Sequence, residues 1–185
     1  MRTLWLMSCA LLAAGCVSSH PDHFYALDSG RSQQLAPQSA FAMQVSLHVS
    51  LPIMVDRSEM LLSGPEGVRI LEHERWAAPL SEQFSSVLGQ DIEARRPGVI
   101  VTSRSIAQPD GPMTGIAVDV VQLSLQKGTG CKVEVRWRVQ RANAVTQGRE
   151  IFAATAVDAS YAGLVQSLNR SIAALAERLV AQLPP

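Results

Sequence analysis

Residues 116–140 read IAVDVVQLSLQ, KGTG, CKVEVRWRVQ, and this stretch decides the fold. In its second half Val133, Val135, Trp137 and Val139 alternate with Lys132, Glu134, Arg136, Arg138 and Gln140. A period of two with one apolar and one charged side is that of a half-buried strand. Ile116–Gln126 reads as a partner strand, and Lys127-Gly128-Thr129-Gly130 between them has the glycines a tight turn needs. The two halves predict a long hairpin. Apolar parity in the first strand changes at Val120-Val121, which predicts a bulge.

Working outward, Ile151–Val157 reads as a further apolar strand, and Tyr161–Leu183 as a helix with Leu164, Leu168, Ile172, Leu175 and Leu179 on one face. Upstream, Leu80, Phe84, Val87, Leu88 and Ile92 recur at helical spacing. Pro79 suits the first turn of that helix and Pro97-Gly98 closes it. Val99–Thr102 resumes an extended run, and Met43, Val45, Leu47 and Val49 alternate with polar residues as a strand. Met60–Leu62 and Val68–Leu71 flank a glycine-containing turn and predict a second hairpin, while Phe24–Leu27 reads as a small strand. The order of strands, helix, strands, helix predicts a single-domain α+β or α/β fold. Its mixed, largely antiparallel sheet is covered by two amphipathic helices. No internal repeat and no second domain is evident.

The composition bounds the function. The chain has 185 residues, 47% of them hydrophobic, and 16 basic against 16 acidic side chains. That length and apolar content support one domain with its own core. The even charge balance argues against a nucleic-acid partner, which calls for a basic excess. With three cysteines the chain cannot build a disulfide framework.

The amino terminus reads as an export signal over residues 1–15. Arg2 supplies a positive charge, Leu4–Ala14 is an apolar run, and Ala13-Ala14-Gly15 precedes Cys16. The run is too short to span a bilayer, which takes about 20 residues. Leu12-Ala13-Ala14-Gly15-Cys16 resembles the lipobox of bacterial lipoproteins, with Ala13 where leucine is usual. That resemblance implies cleavage before Cys16 and acylation of its thiol and amine. Ordinary cleavage at the same bond would instead release a soluble periplasmic protein. Residues 16–23 then form a lipidated tether, of which Val17–His23 can reach about 25 Å when extended, and residues 24–185 the folded domain. Loss of Cys9 with the leader and acylation of Cys16 leave Cys131 alone, unable to form an internal bridge.

Reactive chemistry is not legible. His20-Pro21-Asp22-His23 offers donor atoms on a flexible segment, and no other Cys or His stands at a metal-binding spacing. His48 and His73 read as ordinary surface histidines. No nucleophile elbow, Walker loop or dinucleotide fingerprint is present. Neither catalysis nor a cofactor or metal is expected. The row Lys132, Arg136, Arg138 and Arg141 makes a basic strand side, which is either a solvated sheet face or a contact for acidic lipid headgroups or a protein partner. Arg136 and Arg138 on that side, together with Arg57, are the candidate partner-binding residues.

Four segments together resemble the PqiC-type family, the auxiliary lipoproteins of ABC-type lipid transport systems. They are Phe24-Tyr25-Ala26-Leu27, Val45 to Pro52 followed by Asp56-Arg57, Arg75-Trp76-Ala77-Ala78-Pro79-Leu80, and Ala153–Ala159 running into Tyr161-Ala162-Gly163-Leu164-Val165. The resemblance implies a non-catalytic accessory lipoprotein at the periplasmic face of the Gram-negative outer membrane. Its partners would be an MCE-family protein and ABC transporter subunits, and Val17 after the cysteine fits sorting to that membrane. A homo-oligomer is compatible with exposed strand edges. The alternative is a periplasmic carrier of a lipid or small ligand, which calls for an apolar cavity between sheet and helices.

Overall fold

Alternation along the central hairpin organises the whole molecule. In a computed structural model residues 21–30, 43–102, 113–142 and 144–183 are described. The elements run β1 (His23–Tyr25), β2 (Met43–Ser50), β3 (Glu59–Gly64), β4 (Gly67–Trp76), α1 (Leu80–Arg95), β5 (Val99–Thr102), β6 (Met113–Gln126), β7 (Gly130–Arg141), β8 (Ala144–Thr155) and α2 (Tyr161–Val180). The mixed α+β class expected from the sequence is what forms. Its strands make two sheets rather than one, ordered β5-β2-β6-β7-β8 and β1-β4-β3. In the larger, β2 runs parallel to β5 and β6, and β6, β7 and β8 form an antiparallel meander. The smaller joins the antiparallel β3–β4 hairpin to a parallel β1.

One side of the five-stranded sheet faces the helices. Val45, Leu47, Ile116, Val118, Val120, Val133, Val135, Trp137 and Val139 are buried there. The pairing of β6 with β7 shifts between Val120 and Gln122, so Val121 is the predicted bulge. It resets the parity and returns Leu123 and Leu125 to the core. Helix α1 packs on β2 and β5, α2 on β7 and β8, and the two helices on each other. Their sequence-assigned faces, Leu80, Phe84, Val87, Leu88 and Ile92 on α1 and Leu164, Leu168, Ile172, Leu175 and Leu179 on α2, are all buried. Pro79 sits one residue before α1 rather than in its first turn, and Asp56 Oδ1 accepts from the Ser81 N–H at 2.9 Å. A loop carboxylate thus satisfies a donor that the proline cannot cap. Helix α2 begins with Ser160, whose hydroxyl accepts from Gly163 N–H at 2.9 Å.

Strand β8 departs from expectation. It begins at Ala144, seven residues before the expected Ile151, and ends at Thr155 instead of Val157. Gly148 lies opposite Trp137 on the inner side, and a Cβ there would come within 2.6 Å of the indole. The Trp137 ring occupies the space a β8 side chain would fill, so the segment shows no apolar alternation. Trp137 Nε1 donates to Glu150 Oε1 at 3.1 Å, and Arg178 of α2 reaches the same oxygen at 2.7 Å.

The start of the domain is also tied down. Residues 22 and 23, expected in the tether, bind β4: His73 Nδ1 lies 3.0 Å from Asp22, and His23 Nδ1 3.2 Å from Glu74. Tyr25, paired with Trp76, has its phenol pushed up from 10.0 to about 12, by burial first and then by the hydrogen bond and charge of Glu74. Since the folded value lies above the ordinary one, the neutral phenol's contribution is intact below pH 10 and is lost as the pH rises through about 12. Absorbance at 295 nm is expected to show a tyrosinate step near pH 12 that Tyr25→Phe removes, and stability should decline across the same interval. A single step at pH 10 would contradict the burial of this hydroxyl.

Candidate functional site: a cationic groove on the outer sheet face

The side of the large sheet away from the helices carries the charged half of each strand's alternation. Register places these side chains in rows. One row is His48, Ala117, Arg138 and Gln147, running across β2, β6, β7 and β8. The next is Ser50, Asp119, Arg136 and Arg149. Together with Val118, Trp137 and Gly148 they line an open groove of about 610 Å³. Ala117, the smallest side chain of its row, leaves room between His48 and Arg138.

Arg136 and Arg149 are directly opposed on β7 and β8, an arrangement that is repulsive unless compensated. Compensation comes from either side. Arg136 grips Asp119 through Nε at 3.0 Å and through Nη2, and Ser50 Oγ donates to the other Asp119 oxygen at 2.9 Å. Arg149 Nε donates to Glu134 at 2.6 Å. Those contacts, the Arg136 bond first and the Ser50 bond second, hold the Asp119 carboxyl below the usual carboxylate range. Arg138 is exposed, and among the described residues no acid pairs with it. Lys132 lies further along the same side of β7.

Chemically the groove holds charge. The Ser50 hydroxyl is spent on Asp119, and a carboxylate made less basic by Arg136 is a poor proton acceptor. Elsewhere, Cys131 is buried with Sγ 3.1 Å from Ser171 Oγ. Among the described residues no group of three or more His, Cys, Asp or Glu side chains could hold a metal ion, and no helix is long and apolar enough to cross a membrane.

The sequence-assigned residues are divided by the structure. Arg136 and Arg138 meet in the groove. Arg57 does not line it: it lies in the loop before β3, donating to Glu59 at 2.8 Å. Arg141, grouped with the basic row by sequence, has the opposite parity, across from Thr114 and Ala144. Cys16 lies outside the described residues. His48, read from sequence as an ordinary surface histidine, lines the groove, and Asp119, Gln147 and Arg149 are groove residues that the sequence reading does not mark. The outward parity of β2 and β6 carried a signal for His48 and Asp119, but Arg149 could be found only once β8 was known to extend to Ala144.

The same loop presents a second surface feature. Val55 N–H and Asp56 N–H both donate to Pro52 O, at 2.9 and 3.1 Å, and Asp56 is fastened to α1. On this tied turn Ile53 is 90% exposed and Met54 65%. Such apolar exposure on a constrained loop is a mark of contact surfaces.

Among curated protein sequences none matches the chain. A crystal structure of an uncharacterized protein superposes with a TM-score of 0.70 at 14% identity, covering 89% of this chain and all of the other. Protein XCC0632 from Xanthomonas campestris, of the DUF330 family, superposes with a TM-score of 0.61 at 13% identity, covering 85% of this chain and 92% of its own. At such identity these likenesses establish the fold. The sequence itself matches the ABC-type transport auxiliary lipoprotein component family over residues 25–180, nearly the whole folded domain. The chain belongs to that family of transport auxiliary lipoproteins.

Proposed function

We propose that this protein is a non-catalytic accessory lipoprotein of an intermembrane lipid transport system, held by acylated Cys16 at the periplasmic face of the outer membrane and docking to an MCE-family protein. The observation that carries the reading is the family match across residues 25–180, which implies association with an ABC transport system. Physical support comes from the loop after β2. Its turn is fixed by backbone bonds and by Asp56, so Ile53 and Met54 are offered to a partner at little further ordering cost. Arg57, beside them in sequence, adds a charged rim through its pair with Glu59. Three acyl chains would hold the anchor firmly, since each buried methylene contributes about 0.8 kcal/mol.

Pull-down from detergent-solubilised envelopes is expected to recover an MCE protein and ABC subunits with the native chain. Replacing Ile53 and Met54 together by Asp should cut that recovery about tenfold or more. The stability change should stay within about 0.5 kcal/mol, because both side chains are exposed. Mass spectrometry of the mature amino terminus is expected to find the acyl chains on Cys16. A native chain that repeatedly recovers no such partner, or carries no acyl mass, would overturn the docking or the anchoring half of this reading respectively.

A further inference from the structure

We propose that the groove on the outer sheet face is a binding site for a phosphate-type oxyanion, held by Arg138 with Arg136 and Arg149. The argument starts from the sheet register. Three guanidinium groups from two adjacent strands converge on one groove, and two of them are set directly opposite each other. Among the described residues the only carboxylate lining the groove is Asp119, while Glu134 engages Arg149 from the neighbouring row. Asp119 and Glu134 each bind one arginine through Nε and Nη2, and among the described residues the other N–H donors of Arg136 and Arg149 are uncommitted. Arg138 commits none to an acid among the described residues.

Size and charge then select the ligand. An open volume of about 610 Å³ is larger than a bare inorganic ion needs and admits a small ester or a headgroup. A phosphate presents several acceptor oxygens and more than one negative charge. It can therefore bridge guanidinium groups from two strands where a single carboxylate would satisfy one. Binding would also place a shared counter-charge between the opposed Arg136 and Arg149. His48, at the far end of the Arg138 row, supplies a further polar contact, and Ala117 keeps the space between them open. No residue of the Ile53–Arg57 loop lines the groove, so docking and anion binding can be tested by separate variants.

The shared chemistry is a phosphate ester, whose source is either a lipid headgroup or a soluble metabolite. The full mature chain in uncharged detergent micelles can be titrated calorimetrically with glycerol 3-phosphate and with dihexanoyl phosphatidic acid, using glycerol as the uncharged control. Both phosphates are expected to bind saturably at low ionic strength, and glycerol not at all. Arg138→Gln should weaken binding about tenfold or more, and Asp119→Asn, which removes the competing anion beside Arg136, should strengthen it. The variant with Ile53 and Met54 both replaced by Asp should still bind both phosphates saturably, which separates this site from the docking loop. Tighter binding of the lipid than of glycerol 3-phosphate assigns the site to a headgroup, and equal affinity assigns it to a soluble ester. The proposal is overturned if neither phosphate saturates, if Arg138→Gln binds as the native chain does, or if a polyglutamate peptide binds through Arg138 while both phosphates fail.

Discussion

Replacing Arg95 by methionine is expected to destabilise the protein by about 3–5 kcal/mol, the cost of leaving a buried charge without its partner. Asp91 lies on α1 with its side chain 1% exposed, and Arg95 one turn later donates Nη1 to its Oδ1 at 2.6 Å. The same nitrogen also reaches the Asp91 carbonyl at 2.9 Å. Oδ2 is buried with no hydrogen-bond partner among the described residues, so the carboxylate has little else to rely on. Methionine retains the aliphatic stem of arginine, which confines the change to the charge. The double variant Asp91→Leu with Arg95→Met should recover most of the loss, because an apolar pair of similar size removes the burial cost of both ions. Urea unfolding of the two variants beside the native protein measures this. A loss below about 1 kcal/mol in the single variant would place the pair among ordinary surface ion pairs.

The second large effect is expected at the β6–β7 turn. Gly130 has φ +134°, and a Cβ added there would lie 2.1 Å from Ala154 O and 2.8 Å from both Thr155 Cα and Ala156 N. Every one of these neighbours is backbone, held by the β7–β8 pairing and by the Ala156 N–H to Thr129 O bond. Gly130→Ala therefore combines an unfavourable backbone conformation with a contact that cannot relax, for a cost of about 3 kcal/mol or more. Gly128, two residues earlier, is the control. Its φ of +77° is also left-handed, but the nearest atom, Ala159 Cβ, is at an ordinary 3.7 Å. Gly128→Ala should cost about 1–2 kcal/mol. Thermal or urea unfolding that found the two variants equal would show that the turn, and not the strand contact, sets the requirement for glycine.

Part of this behaviour is legible in the residues themselves. Both helices, the hairpin of β6 and β7, and the Val121 bulge follow from periods of 3.6 and two and from a change in parity. Burial acts on each side chain locally, and so leaves a local trace. The charged side of β7, with Arg136 and Arg138, is legible for the same reason. Strand β4 shows the limit. Its second half, Glu72-His73-Glu74-Arg75, reads as a charged surface run, yet β4 continues through it: β1 pairs with Glu74 and Arg75 on one side, and β3, after a bulge opposite residues 72–74, resumes its pairing at Arg75 on the other. The apolar Val68 and Ile70 of its first half, by contrast, remain exposed.

The groove exposes the difference most fully. Alternation put Arg136 and Arg138 on one side of a strand, but nothing local says that His48, Asp119 and Arg149 stand beside them. Those neighbours depend on β2 lying parallel to β6 and on a particular register between β7 and β8. The β8 segment kept its place hidden because Trp137 fills the volume over Gly148 that would otherwise have required an apolar side chain there. The sequence by itself determined the apolar faces of its helices and the two sides of its central hairpin, since each is written by the solvent each residue meets. Only the tertiary structure decided the split into two sheets and the meeting of three arginines, because strand pairing is chosen by contacts between segments far apart in the chain.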